Sequence, residues 1–321
     1  MERVAAITNP CGINATLTPT IFHEDWWLNA AANGDYDVAE VLNGGHVVGR
    51  LPYRITRRFG MKWCTQPELT YFLGPAVNEG TGNISTRFMR RLEITRDLLR
   101  KLPGVNFMQF KCHRGIHDVI PFQDQGFRTT VQFTHEIQPA LTDDLWHNIY
   151  HKKRRVILRA MGKMNISTIE DPAVFMRFYQ TNLDARGIKN KMDVPACRRI
   201  IEDCIARNRG IVFAAFDQNN NLAAAIFCVW DEAVSYYMMT TRTLTSGSGI
   251  VSALVWQAMQ DAARRGLVFD LGGLNTASGV LFYAAFGGNA SPRYVATRAS
   301  LPVRMARELR AFADKDSTFM S

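Results

Sequence analysis

The sequence lacks any apolar run approaching the ~20 residues that a bilayer-crossing helix requires. Its first twenty residues, MERVAAITNPCGINATLTPT, hold no apolar core of about 7–15 residues of the kind a secretory signal carries, so a cytoplasmic location is expected. The six cysteines (Cys11, Cys64, Cys112, Cys197, Cys204, Cys228) form no C-x-x-C pair and no zinc spacing with a histidine. They read as small buried hydrophobes, and no metal is expected. His113 and His117 stand four apart, but Gly115 lies between them and no carboxylate-rich motif follows. No serine sits in a nucleophile elbow ahead of an acid and a histidine, which leaves hydrolase chemistry of that type without support.

What is present is an ordinary globular composition, 47% hydrophobic and 21% charged over 321 residues, enough chain for about two domains. Lys and Arg number 38 against 29 Asp and Glu, giving a net charge of +9. Such a field draws anions: phosphates, nucleotides, RNA or an acidic membrane surface.

The order of elements repeats. Residues 37–53 read as a hairpin about Asn43-Gly44-Gly45, which supplies positive φ angles. An extended piece at 70–73 ends at Gly74-Pro75. A helix is predicted over 86–102, ended by Pro103-Gly104, with strands at 105–110 and 129–133. In the second half, helices are predicted over 145–163, 172–183 and 195–208. A meander follows at 210–216, 222–230 and 233–241, turning at 217–221 (DQNNN) and at Asp231-Glu232. Then come a helix at 250–265 ended by Gly266, a strand at 267–271, Gly272-Gly273, a helix at 280–286 and Gly287-Gly288. Meander, helix, strand and glycine–aromatic turn occur in both halves, the pattern of a duplication. Units of 1–140 and 141–300 are expected, with a basic helix at 302–321 that packs back on the first.

Residues 233–288 resemble the acetyl-coenzyme A-dependent N-acetyltransferase (GNAT) superfamily. With the duplication, the whole chain resembles its tandem branch, the FemAB-like aminoacyltransferases of peptidoglycan and the BioF2-like acyltransferases. The matching pieces are Asp25-Trp26-Trp27-Leu28, 71–75 (YFLGP), 122–127 (FQDQGF), 151–160 (HKKRRVILRA), 269–273 (FDLGG) and 282–288 (FYAAFGG). The resemblance implies an α/β (α+β) fold of two tandem GNAT-like lobes, each a mixed, mostly antiparallel sheet flanked by helices. It also implies an acyl-donor site in the second lobe and an acceptor held between the lobes. Two positions depart from the pattern: Tyr283 stands where FemAB-like enzymes usually have lysine, and Leu244 stands where the coenzyme A loop usually has a basic or amide residue. Gly247 and Gly249 fit that loop's glycines, and Arg242 lies just upstream.

The chemistry of amide formation names the candidates. A growing oxyanion needs a donor, the amine must lose a proton, and the leaving group gains from receiving one. Backbone N–H groups near Tyr237 and Met238 are the expected oxyanion donors. Ser246, Gly247, Ser248 and Gly249 enter a helix and form either a phosphate cradle or an ordinary flexible turn. Tyr283, with Asn275 eight residues before it and Gly287 four after, resembles the superfamily's Asn…Tyr…Gly-Phe pattern, which implies a general acid; the ordinary alternative is a phenol on a helix surface. Asp270 is either the base or a cap on the Gly272-Gly273 turn. Trp26, Trp27, Tyr71, Arg155 and Arg159 are candidate substrate contacts, although such tryptophans more often sit in a core and such arginines on a solvated face. Three readings stay open: transfer from acyl-coenzyme A to an amine of a small molecule, amino sugar or envelope precursor; transfer from aminoacyl-tRNA; and an inactive binding module.

Overall fold

The computed structural model describes residues 17–313 apart from Phe59, Ser248 and Asn275, with 308–313 as backbone only. A 3-10 turn, Ile21–His23, leads into helix α1 (Asp25–Ala32). Strands β1 (Asp37–Asn43) and β2 (His46–Tyr53) form the expected hairpin, with φ of 57° at Gly44 and 81° at Gly45. A second hairpin that the sequence pattern did not announce, β3 (Ile55–Arg58) and β4 (Met61–Cys64), follows directly. Residues 70–73 are not a strand; only Leu73 makes an isolated bridge, to Cys112. β5 (Ala76–Val77) joins β2, and α2 (Ile84–Arg100) is capped by the Asn83 side chain, which accepts from Thr86 N at 2.8 Å. β6 (Phe107–Lys111), the short α3 (Ile120–Asp124) and the long β7 (Arg128–Ile137) complete the first unit in chain order.

The stretch expected as one helix over 145–163 is two, α4 (Thr142–Asn148) and α5 (His151–Met161), and an edge strand β8 (Asn165–Ile169) follows. Proline at the first turn and an aspartate cap start both α6 (Pro172–Asp184) and α7 (Val194–Ala206). The meander is β9 (Gly210–Phe216), β10 (Leu222–Trp230) and β11 (Val234–Arg242). α8 (Gly249–Arg264), β12 (Val268–Gly273) and α9 (Ala277–Ala284) lead to β13 (Asn289–Ala299) and α10 (Leu301–Ala313). Among the described residues, no helix is long and apolar enough to cross a membrane.

β1, β2 and β5 form a small sheet; the other ten strands form one large sheet in the order β3-β4-β6-β13-β7-β12-β11-β10-β9-β8. It is antiparallel at every junction but two, β4–β6 and β11–β12, and each of these is a parallel pair joined by a crossover helix, α2 or α8. The duplication is therefore written in the sheet. Strand, crossover helix, parallel strand, short helix and long strand occur twice, as β4-α2-β6-α3-β7 and β11-α8-β12-α9-β13. The two long strands trade places: β13 lies between β6 and β7, while β7 lies between β13 and β12. The fold is α/β, two GNAT-like lobes with a mixed, mostly antiparallel sheet flanked by helices.

β10 is covered on both faces, so its residues form a continuous apolar run instead of alternating with polar ones. Ala225, Phe227 and Val229 pack with α1, α6 and α7, and Ala224, Ile226 and Cys228 with α5 and α8. α1, from the beginning of the chain, packs on α7 of the second unit, and Arg199 Nε donates to the Ala30 carbonyl at 3.2 Å. A third core gathers α2, α3, β6 and the hairpin β1–β2 around Leu98, Phe110 and Phe122.

Candidate active site

β11 and β12 begin side by side, Val234 beside Val268, Ser235 beside Phe269 and Tyr236 beside Asp270, and there the pairing stops. The next residues of β11 slip register against β10, where Phe227 opposes Met239 and Cys228 opposes Tyr237, leaving Met238 as the extra residue of a bulge. The bulge turns β11 away from β12 and leaves backbone groups facing a wedge-shaped gap. Tyr71 enters that gap from the first unit: its hydroxyl donates to the Met238 carbonyl at 2.6 Å, and its ring lies beside Gly272. In the first unit the equivalent opening beyond β4 is filled by the chain itself. Leu73 N donates to Lys111 O at 2.8 Å, and His113 N donates to Leu73 O at 2.9 Å. The second opening leads to a cleft.

That cleft is about 420 Å³, lined by Tyr237 and 240–242 of β11, Tyr179, Asn182 and Leu183 of α6, Arg186 of the turn after it, Val251 of α8, and Phe282 and Tyr283 of α9. Tyr283 meets the Tyr237 ring edge-on at 6.4 Å. Burial and the nearby charge of Asp270 push its phenol upward, so it is fully protonated at neutral pH. Arg242 bonds the carbonyls of Thr243 (3.3 Å) and Ser246, which folds the loop back on itself. Arg186 holds the same strand end, donating to the Arg242 carbonyl at 2.7 Å. Ser246 Oγ pairs with Thr243 Oγ1 at 2.6 Å, and Gly247 is exposed at the mouth of α8. Gly249 admits α5: a Cβ there would stand 2.8 Å from Val156 Cγ1. Ser248 and Asn275 lie outside the described residues.

Asp270 is 1% exposed. Its Oδ1 accepts from Gly272 N at 2.8 Å, the cap anticipated as one alternative. Its Oδ2 has no hydrogen-bond partner among the described residues. Burial raises the carboxyl to about 6, against the pull of Arg293, the Gly272 N–H and Thr134.

The remaining candidates are dispersed. Trp27 is fully buried in the core of the second lobe and donates to Thr70 Oγ1 at 3.0 Å, while Trp26 lies over Arg207; neither lines the cleft. Arg155 and Arg159 are exposed on α5. His113 is a buried structural histidine, its Nε2 bonded to Pro75 O at 3.1 Å and its Nδ1 accepting from Gly115 N at 3.2 Å. Sequence reasoning missed α6 and the turn after it as a wall of the cleft, because Tyr179, Asn182 and Arg186 carry no recognisable spacing. Within the basic run 151–155, Lys153 turns toward α9: its ammonium sits 4.0 Å from the Phe282 ring centre and 4.9 Å from that of Phe286, 3.4 Å from Ser252 Oγ.

The parallel, splayed pair of strands with its crossover helix and bulge is matched at the level of sequence. Residues 146–283 fit the Acetyltransferase (GNAT) domain. This segment is similar to a GNAT domain. None of the curated proteins matches the chain. Among solved structures, the chain is similar to FemX, at 11% identity and TM-score 0.62, over 88% of this chain and 93% of that one. It is also similar to the C-terminal domain of a putative lysylphosphatidylglycerol synthetase from Agrobacterium fabrum, at 14% identity and TM-score 0.60, over 92% and 94%. L-PGS from Bacillus licheniformis follows at 14% identity and TM-score 0.54, over 88% and 90%. These likenesses extend the shared fold well beyond the segment 146–283, across both lobes.

Proposed function

We propose that the protein is an acyltransferase that moves an acyl group from acyl-coenzyme A to an amine of a small molecule, an amino sugar or an envelope-linked precursor. The observation that carries this reading is the opening of β11 from β12 directly beside Tyr283, at the floor of the cleft. The acyl carbonyl would lie in the gap, its oxygen on backbone N–H groups at Tyr237 and Met238, where preorganised donors stabilise a growing oxyanion. The amine nitrogen bonds to the carbonyl carbon, its proton passes to Asp270, the C–S bond breaks and the thiolate takes the phenolic proton of Tyr283. Gly247, Gly249, Ser246 and Arg242, with Ser248 and Asn275, would hold the coenzyme at the mouth of α8, whose first N–H groups favour phosphate. Tyr71 would border the acceptor, with Trp26, Trp27, Arg155 and Arg159 as more distant contributors. Residues 1–140 and 141–300 are the two lobes in this reading, and the helix from 302 lies on the first, where Arg307 sits 4.7 Å from the Phe107 ring centre.

A second reading, transfer from aminoacyl-tRNA, draws on Lys153. Its ammonium on Phe282 and Phe286 puts a cation next to Tyr283, the position at which FemAB-like enzymes carry lysine. The lysylphosphatidylglycerol synthetase name of one structural neighbour adds a lipid to the acceptors worth offering. The test is incubation with acetyl-coenzyme A or charged tRNA together with pooled amines, amino sugars and phosphatidylglycerol vesicles, read by mass spectrometry. Acylated product with the coenzyme alone supports the first reading, and product with tRNA alone the second. No product and no binding of either donor leaves an inactive module.

A further inference from the structure

At the seam between the lobes three strands bring together acidic and basic side chains that the acyl-transfer scheme does not use. Glu136 of β7 and Arg293 of β13 are paired through Arg293 Nη2, at 5% and 6% exposure. Ser291 Oγ holds the other Glu136 oxygen at 2.9 Å, and Arg293 Nη1 donates to the Pro292 carbonyl at 2.8 Å. Arg293 Nη2 also faces Asp270 Oδ2, but at 3.7 Å, beyond hydrogen-bond reach. Asp270 Oδ2, Arg293 Nε and Thr134 Oγ1 are all buried there without a hydrogen-bond partner. Buried polar atoms are nearly always paired, so three unpaired ones at one seam mark a place where stability has been given up.

We propose that Arg293 is a positioning residue for the transfer site, anchored by Glu136 just far enough from Asp270 that the guanidinium orients the carboxylate without occupying its Oδ2. This rests on the reading of Asp270 as the proton acceptor. A full ion pair would cover Oδ2 with a donor and hold the carboxylate too acidic to take a proton. With no cation at all, the buried carboxyl would stay protonated. Glu136 sets the balance by drawing Nη2 into its own ion pair, which leaves that nitrogen 3.7 Å from Asp270 Oδ2. Each partner comes from a different chain unit, so the second lobe's acid–base group is tuned through a strand of the first. The charged and titratable groups acting on Asp270 are Arg293 and Glu136 in the sheet; Tyr71, Tyr236 and Tyr283 are in turn pushed upward by its charge.

The two partners therefore predict shifts of opposite sign. Asp270 is followed in the full chain by carbon NMR of aspartate labelled at the side-chain carboxyl, with Asp270→Asn assigning the signal. Arg293→Met should move its titration upward by roughly 1–3 units. Glu136→Gln should free the guanidinium to pair with Asp270 and move it downward. Arg293→Lys, which keeps the charge without the fork, should fall between wild type and Arg293→Met. If Arg293→Met does not fold, Glu136→Gln and Arg293→Lys decide. An unmoved Asp270 in either, or an upward shift in Glu136→Gln, overturns the proposal. Asp270→Asn is assayed in parallel with acetyl-coenzyme A and pooled amines. Loss of turnover there supports Asp270 as proton acceptor, and retained turnover removes that role even where the NMR shifts are as expected.

Discussion

At the scale of single residues, burial pushes both a phenol, Tyr283, and a carboxyl, Asp270, upward in the second lobe. Tyr283→Phe keeps the ring edge-on against Tyr237 and removes only the hydroxyl, so kcat should fall by about 10²–10⁴-fold with little change in donor KM. Steady-state kinetics checks this, and a variant that turns over like wild type shows the hydroxyl to be inert. Two other titrating groups are held the opposite way. His23 and His113 are buried with their rings 5.2 Å apart, and burial keeps both neutral, His113 down to about pH 4. Unfolded histidine takes a proton near 6.5. Between those values the unfolded chain binds more protons, so stability falls as pH drops from about 6.5 to about 4, by about 3 kcal/mol for His113 alone. Asp270 has the reverse sign. Its raised carboxyl contributes stability below the unfolded value of 3.8 that is lost as pH rises through about 6. Urea unfolding at pH 8 should find Asp270→Asn more stable than wild type by roughly 1–3 kcal/mol, as expected for a buried carboxylate that costs the fold stability.

At the scale of elements, the sequence was readable where periodicity and turn chemistry agreed. The turn over 217–221 rests on Asp217, whose carboxylate accepts from Asn219 N and Asn221 N at 2.9 and 2.8 Å, and the flanking strands β9 and β10 run as expected. Four strands had no such signal. β13 carries Pro292 and two arginines and does not alternate, because its pairing comes from long-range partners rather than from its own pattern. β8 is a five-residue edge, and β3–β4 turns without the usual Asn-Gly pair. The break at Ile149–Tyr150 has neither glycine nor proline; Tyr150 N instead donates to Ala285 O at 3.0 Å, a contact 135 residues away. The candidate site divides in the same way. Tyr283, Asp270 and the Gly247–Gly249 loop sit on local motifs, whereas Arg293, Lys153 and Arg186 reach the site only through the fold. Gly288 tests how tightly the turn after α9 is specified. Its φ is +86°, and a Cβ would stand 2.4 Å from the Glu136 carbonyl. Gly126, at φ +75°, has nothing within 4 Å. Gly126→Ala should cost about 1–2 kcal/mol for strain alone. Gly288→Ala should cost clearly more, as read by chemical denaturation of the pair.

At the scale of the whole molecule, the exchange of β7 and β13 makes each lobe incomplete without the other. Expressed alone, residues 1–140 would leave β6 and β7 with a missing neighbour between them, and residues 141–321 would leave β12 and β13 the same way. Neither half should give a dispersed, protected amide spectrum by itself. The two halves produced together should associate into one folded species, checked by light scattering and hydrogen exchange. A stable, folded 141–321 fragment would mean that the seam is dispensable.

The same exchange bears on how the chain is made. β13 ends at residue 299, yet it fills the slot between two strands that leave the ribosome well before it: Ala296 pairs with Phe110 on one side and with Thr129 on the other. During synthesis, then, the first half emerges as a sheet split down its middle, with two open edges of unpaired backbone. Such edges recruit any neighbouring strand on offer, including those of other nascent copies. Translation order and folding order are thereby opposed. β13, the last of the described strands to be synthesised, is the one that closes the sheet, and slow maturation is the expected consequence.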